Sequence, residues 1–164
     1  MENWMCKYLM FIVLLSLNSC TKDDICPQET PTTPLLIITF KDILNPTVSK
    51  SVTNLTIETD QDPPIVFVTN IATDSIGIPL RTNADTVQYR FVKNTGETDE
   101  IIDVYEFNYE RSDSYLNRAC GFITTYEGLT ALKTDQGMLD WILNLSILNT
   151  TVEDETEAHI TILH

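Results

Sequence analysis

Basic residues are scarce in this 164-residue chain: 10 Lys and Arg stand against 24 Asp and Glu, a formal net charge of -14. A surface that acidic repels phosphate backbones and anionic headgroups, which removes nucleic acid from the expected partners. Histidine is scarcer still, with only His159 and His164, and no two of the four cysteines stand in a Cys-x-x-Cys spacing. That leaves little from which to build a zinc site. The chain also lacks a nucleophile elbow and an Asp-x-Asp-x-Asp-Gly loop, the local signatures of an esterase-type serine and of an EF-hand calcium site. No cofactor, metal or catalytic residue is therefore expected, and the chain reads as non-enzymatic.

What is present starts at the N-terminus. Tyr8 to Leu17, "YLMFIVLLSL", is uncharged, largely apolar and preceded by Lys7. A spanning helix needs about 20 apolar residues, so this run fits the apolar region of a secretory signal, expected over residues 1–19. Leu17-Asn18-Ser19-Cys20 resembles the bacterial lipobox. A small Ser19 admits the peptidase, and the Cys20 thiol is the nucleophile that accepts a diacylglyceryl group. On that reading the mature chain begins at acylated Cys20 and is held at the membrane by its lipid, each buried methylene contributing about 0.8 kcal/mol.

Directly after it, Lys22, Asp23 and Asp24 resemble the export signal of Bacteroidota lipoproteins that reach the outer face of the outer membrane. The expected location is the outer membrane, surface-exposed; the competing reading is a solvated, charged start to a tether facing the periplasm. The tether is expected to run over residues 20–34, ending in the Pro/Thr-rich "PQETPTTP" from Pro27 to Pro34.

Cys6 would leave with the signal and Cys20 would carry lipid, so Cys26 and Cys120 remain in an oxidising compartment. A disulfide between them is the economical expectation, set against two buried reduced thiols. Closing so long a loop contributes on the order of 4 to 5 kcal/mol in the chain-entropy model, and would pin the tether.

From Leu35 to His164 the expected fold is a single all-β domain, an antiparallel β-sandwich. "LLIITFKDI" is an apolar run, "VTNLTIE" alternates from Val52, and Ile76, Ile78 and Leu80 share one face, as do Val87, Tyr89 and Phe91. In "IIDVYEFNYE", Ile101, Tyr105, Phe107 and Tyr109 share a side that Asp103 interrupts, and Ala158, Ile160 and Ile162 alternate near the end. Turn-formers separate these runs at Asn45-Pro46, Asp62-Pro63-Pro64, Asn94-Thr95-Gly96 and Asp135-Gln136-Gly137. Residues 138–148 fit a helical face through Met138, Trp141, Ile142 and Leu145, and a strand through Leu139, Trp141, Leu143, Leu145 and Ile147. The strand has more matches and strand neighbours.

The frame made by "CTKDDIC", "PTTP", "DSIGIPLRT", "RACGF", "DWI" and "EAHITILH" resembles a family of small Bacteroidota lipoproteins classed as a domain of unknown function. The resemblance implies a secreted, lipid-anchored β domain with a bridge between Cys26 and Cys120. It implies no activity.

Other candidate chemistry is weaker. His159, on the alternate face of the final strand, is expected in solvent rather than in a Ser-His-acid triad. Carboxylates at Asp60 and Asp62, Asp99 and Glu100, and Glu153 to Glu157 are candidate loop ligands for calcium, with ordinary solvated charge as the commoner role. Tyr105, Tyr109, Tyr115, Phe122 and Tyr126 suggest an aromatic platform, although aromatics on alternating strands usually fill cores. Ser75 and Thr86, in Asp-Ser-Ile and Asp-Thr-Val triplets, resemble Bacteroidota O-glycosylation sites. The functional expectation is a lipid-anchored accessory or binding module with an envelope protein or glycan as partner. A hydrolase with an unrecognised site and a structural subunit of an envelope complex are the competing classes.

Overall fold

Nine strands and no helix make up the described residues, 25–135, 137 and 139–164 of a computed structural model. The expected signal, Cys20, Lys22, Asp23 and Asp24 lie outside them. The strands are β1 (Leu35–Lys41), β2 (Val52–Thr59), β3 (Val66–Thr73), β4 (Ser75–Pro79), β5 (Thr86–Lys93), β6 (Ile101–Asn117), β7 (Gly121–Lys133), β8 (Asn144–Ile147) and β9 (Ile160–Leu163). They form two sheets, β4-β1-β9-β8 and β3-β2-β5-β6-β7. This is the all-β sandwich that the alternating runs predict.

The chain divides into two compact units. The larger comprises Thr32–Ser114 and Thr124–His164 and holds the core. Leu36, Ile38 and Phe40 of β1 meet Ile160 and Ile162 of β9 within one apolar cluster, with Val87, Tyr89 and Phe91 of β5 and Tyr105, Phe107 and Tyr109 of β6. Burying each large side chain contributes roughly 1.5–3 kcal/mol. Alternation places them there, because successive strand side chains face opposite ways.

One pairing departs from the antiparallel expectation. β1 and β9 run parallel, Ile38 opposite Ile160 and Phe40 opposite Ile162, whereas β4 on β1 and β8 on β9 are antiparallel. β1 lies between two neighbours, which suits its nearly unbroken aliphatic sequence.

Two strands have no clear period in the sequence. β3 is an edge strand, mostly exposed, whose register against β2 shifts three times, with Asn70 at φ +53°. With no buried face it has no reason to alternate. In β7, Thr124 and Tyr126 are buried, then Leu129, so the phase slips at Gly128, where φ is +64°. That left-handed residue shifts the phase and hides the strand from a period-two reading.

The stretch 139–148 is a strand only in its second half, β8. Before it the chain is irregular: Trp141 and Ile142 are adjacent yet both buried, while Leu139 and Leu143 are exposed. The strand expectation over the earlier part is thus corrected.

The smaller unit, Met1–Pro31 with Tyr115–Ile123, is described from residue 25 onward. Cys26 and Cys120 are disulfide-bonded across a sequence separation of 94. Cys120 occupies the turn between β6 and β7, not a strand interior. Asn117 Oδ1 accepts the N–H groups of Ala119 and Cys120 at 2.9 and 2.8 Å, and Gly121 at φ +73° turns the chain into β7. In the expected tether, Thr30 N–H closes a turn on the Pro27 carbonyl at 3.1 Å. Residues 27–30 of that stretch thus form a turn.

Candidate functional site

A pocket of about 410 Å³ opens in the larger unit, at the end of β2, the start of β5 and the segment that follows β4. Its position depends on three tyrosines that alternation sends inward. Tyr89 donates its hydroxyl to the Pro79 carbonyl, Tyr126 donates to the Leu80 carbonyl at 3.2 Å, and the Tyr109 hydroxyl accepts the Arg81 N–H at 2.8 Å. Burial, above all, raises the pKa of each phenol above the ordinary value, so all three remain neutral hydrogen-bonding groups.

Arg81 thus enters the pocket from a pinned backbone. Its side chain makes one hydrogen bond, Nε to Asn83 Oδ1 at 3.4 Å, and no ion pair among the described residues. Gln88 and Glu106 face each other across β5 and β6. Gln88 Nε2 donates to Glu106 Oε2 at 2.8 Å and Asn108 Nδ2 donates to Oε1 at 3.1 Å. These bonds, Gln88 first, hold the Glu106 carboxyl below the usual range. The amide of Gln88 is oriented by the same contact, its oxygen left as an acceptor. Phe67, 38% exposed, supplies an apolar wall and stands edge-on to Tyr89 with ring centroids 5.5 Å apart.

Asp103 has a different role. The sequence marks it as an interruption, but it keeps the inward phase of β6 and is fully buried. Its Oδ2 accepts the N–H groups of Trp141 and Ile142 at 3.0 and 2.9 Å, and its Oδ1 lies 2.7 Å from the Lys133 ammonium. Lys133 also meets Asp140, and Asp135 at 3.6 Å. The three carboxylates could hold a metal by their convergence; the Lys133 ammonium already stands among them. Desolvation would lower the lysine pKa, but hydrogen bonds to Asp103 and Asp140 and the charges of Asp103 and Asp135 raise it overall. An acidic residue on a core-facing phase was the available signal, since a buried charge needs a partner.

His159 is buried, not solvent-exposed as the strand pattern predicts. Its Nδ1 accepts the Ile37 N–H at 3.0 Å, so the neutral ring carries its proton on Nε2 and has no free lone pair for a general base. Burial lowers its pKa against the opposing pull of Asp154 and Glu155. His164, also buried, bonds through Nε2 to the Lys50 carbonyl at 3.1 Å.

The other expected residues scatter. Ser75 and Thr86 are both exposed at strand starts, and Thr86 borders the pocket. Asp99 accepts from Asn94 Nδ2, Glu100 from Gly96 N–H and Asp154 from Thr156, so these carboxylates close loops, whereas Glu155 accepts the Leu35 N–H at the start of β1. Asp60 lines the pocket. The aromatic group divides: Tyr105, Tyr109 and Tyr126 are core, whereas Tyr115 and Phe122 form an exposed pair in the smaller unit, 5.2 Å between centroids. The pocket itself, assembled from five strands and their connections, has no local sequence signature.

A family model described as a family of unknown function (DUF6452) matches residues 51–164, and the chain belongs to that family. The match takes in β2 to β9 and therefore the whole pocket and the Asp103 cluster; β1 precedes it. No curated protein and no solved structure matches the chain.

Proposed function

We propose that this member of a family of unknown function is a non-enzymatic binding module, held at the outer membrane by lipid on Cys20 and offering its pocket to a partner in the cell envelope. The pocket carries the reading. Two of its polar groups, Gln88 and Glu106, are fixed by hydrogen bonds in advance and line it together with an exposed aromatic ring, the mix of apolar wall and few placed polar groups that binding sites use. Neither histidine lines it, and His159 has no lone pair free for proton abstraction. Support for the anchor is the apolar run ending in Leu17-Asn18-Ser19-Cys20, and for surface display the Lys22-Asp23-Asp24 triplet. The resemblance to Bacteroidota lipoproteins agrees with both.

The test is a photo-crosslinking residue in place of Phe67 in the full chain, expressed in its native envelope. A discrete cross-linked species is expected from position 67 and not from Leu132, which is exposed on β7. Equal labelling from both positions, or hydrolysis of an ester or glycoside substrate that His159→Gln abolishes, overturns the reading.

A further inference from the structure

We infer that the pocket beside Phe67, Arg81, Gln88 and Glu106 is a subsite for a neutral sugar residue of a glycan. The inference deepens the binding-module reading and rests on it. Each ligand class makes different demands on the same walls.

A purely apolar ligand would strip water from Arg81, Gln88 and Glu106 and return no hydrogen bond, which opposes its binding. An anionic ligand would meet Arg81, but also Asp60 and Glu106 in the lining and the charge of -14 on the chain. An extended peptide would seek the free edge of β3, whose Phe67 lines the pocket beside Ile65 of the preceding turn. That edge is broken: its register shifts three times and Asn70 turns to φ +53°, which interrupts the row of outward N–H and C=O groups that strand addition needs.

A neutral sugar meets none of these obstacles. Its hydroxyls donate and accept, and the pocket offers both functions: Glu106 oxygens and the Gln88 side-chain carbonyl, held by hydrogen bonds, accept, while the exposed Arg81 guanidinium keeps donors free. Because Gln88 and Asn108 hold Glu106 as the anion, its bonds to hydroxyls are charge-assisted. The Phe67 ring, propped on Tyr89, presents apolar surface of the kind that takes the C–H face of a pyranose. About 410 Å³ falls within the roughly 300–1,000 Å³ of small-ligand sites.

The full-length lipoprotein, in a sugar-free detergent, is titrated calorimetrically with neutral trisaccharides of glucose, mannose, galactose and N-acetylglucosamine, and with trigalacturonate. Binding of at least one neutral trisaccharide is expected, weakened about ten-fold or more by Phe67→Ala and by Gln88→Leu, with no binding of trigalacturonate. Thermal melting checks each variant; should Phe67→Ala melt early, Gln88→Leu and Glu106→Gln decide. Failure of all four neutral sugars, binding that ignores these variants, or a preference for the uronate overturns the inference. Cross-linking from position 67 that persists while every sugar fails would leave the binding module standing and remove the glycan; loss of both removes both.

Discussion

Tyr109 accepts the backbone N–H of Arg81 on its hydroxyl at 2.8 Å, and so a core residue of β6 fixes a residue at the mouth of the pocket. Tyr126 and Tyr89 hold Leu80 and Pro79 by donating their hydroxyls to those carbonyls. The segment after β4 is therefore held by core side chains.

Tyr109→Phe keeps the ring and deletes the acceptor. The part-buried Arg81 N–H is then unpaired, which costs about 1–3 kcal/mol. Urea denaturation should show a lower midpoint at unchanged slope, and pocket affinity should fall with it. An unchanged midpoint would mean that water replaces the hydroxyl.

Asp103→Ala should be more damaging, because it leaves the two buried N–H groups of Trp141 and Ile142 without their acceptor, at about 1–3 kcal/mol each, and takes from Lys133 its buried partner, leaving it Asp135 and Asp140. Asp103→Asn retains an oxygen for Trp141 and Ile142 and should cost less. The double variant Asp103→Leu with Lys133→Met should recover part of the loss of Asp103→Ala, since apolar side chains then fill the volume of the buried pair. Denaturation midpoints of the variants give the coupling directly.

Stability should fall at both ends of the pH range. Burial lowers the pKa of His159 and His164, so the unfolded chain binds more protons as pH falls through about 6.5, and stability declines from there toward the folded-state pKa values. Burial pushes the Tyr126 phenol up to about 12, so its contribution is complete below about 10 and is lost as pH rises through about 12. His159→Gln should flatten the acid limb, and Tyr126→Phe the alkaline limb, in melts recorded across pH.

Reduction of Cys26–Cys120, or Cys26→Ser with Cys120→Ser, should lower stability by a few kcal/mol at most, below the chain-entropy figure of about 4 to 5 kcal/mol. Both cysteines belong to the smaller unit, while the apolar cluster belongs to the larger. Near-ultraviolet dichroism from Trp141 should survive reduction. A non-reduced digest of protein from the native envelope should yield the linked peptides; free thiols at both positions would contradict the bond.

Replacing Lys22, Asp23 and Asp24 by Ala should turn a protein that is protease-accessible on intact cells into a protected one, with palmitate labelling unchanged. Cys20→Ala should abolish the labelling. Wild-type protein that is already protected would assign the triplet to a solvated tether.

Much of the fold was legible because alternation is local: Val87, Tyr89 and Phe91, or Tyr105, Phe107 and Tyr109, declare a buried face within five residues. The Cys26–Cys120 pair was legible by elimination. β3 and β7 were not, because one has no buried face and the other changes phase at Gly128. Asp103 broke the pattern visibly, whereas His159 fitted the outward phase and was expected in solvent; their partners, Trp141 and Ile37, lie 38 and 122 residues away.

By itself, then, the sequence determined the all-β class, the acidic surface and which side chains turn inward, since these follow from composition and from the pleat of a single strand. Only the tertiary structure decided the parallel pairing of β1 with β9, the Lys133 partner of Asp103 and the meeting of Phe67, Arg81, Gln88 and Glu106 around one pocket. Those depend on which strands become neighbours and in what register, and register is the joint outcome of every strand in the sheet, with no trace in any one of them.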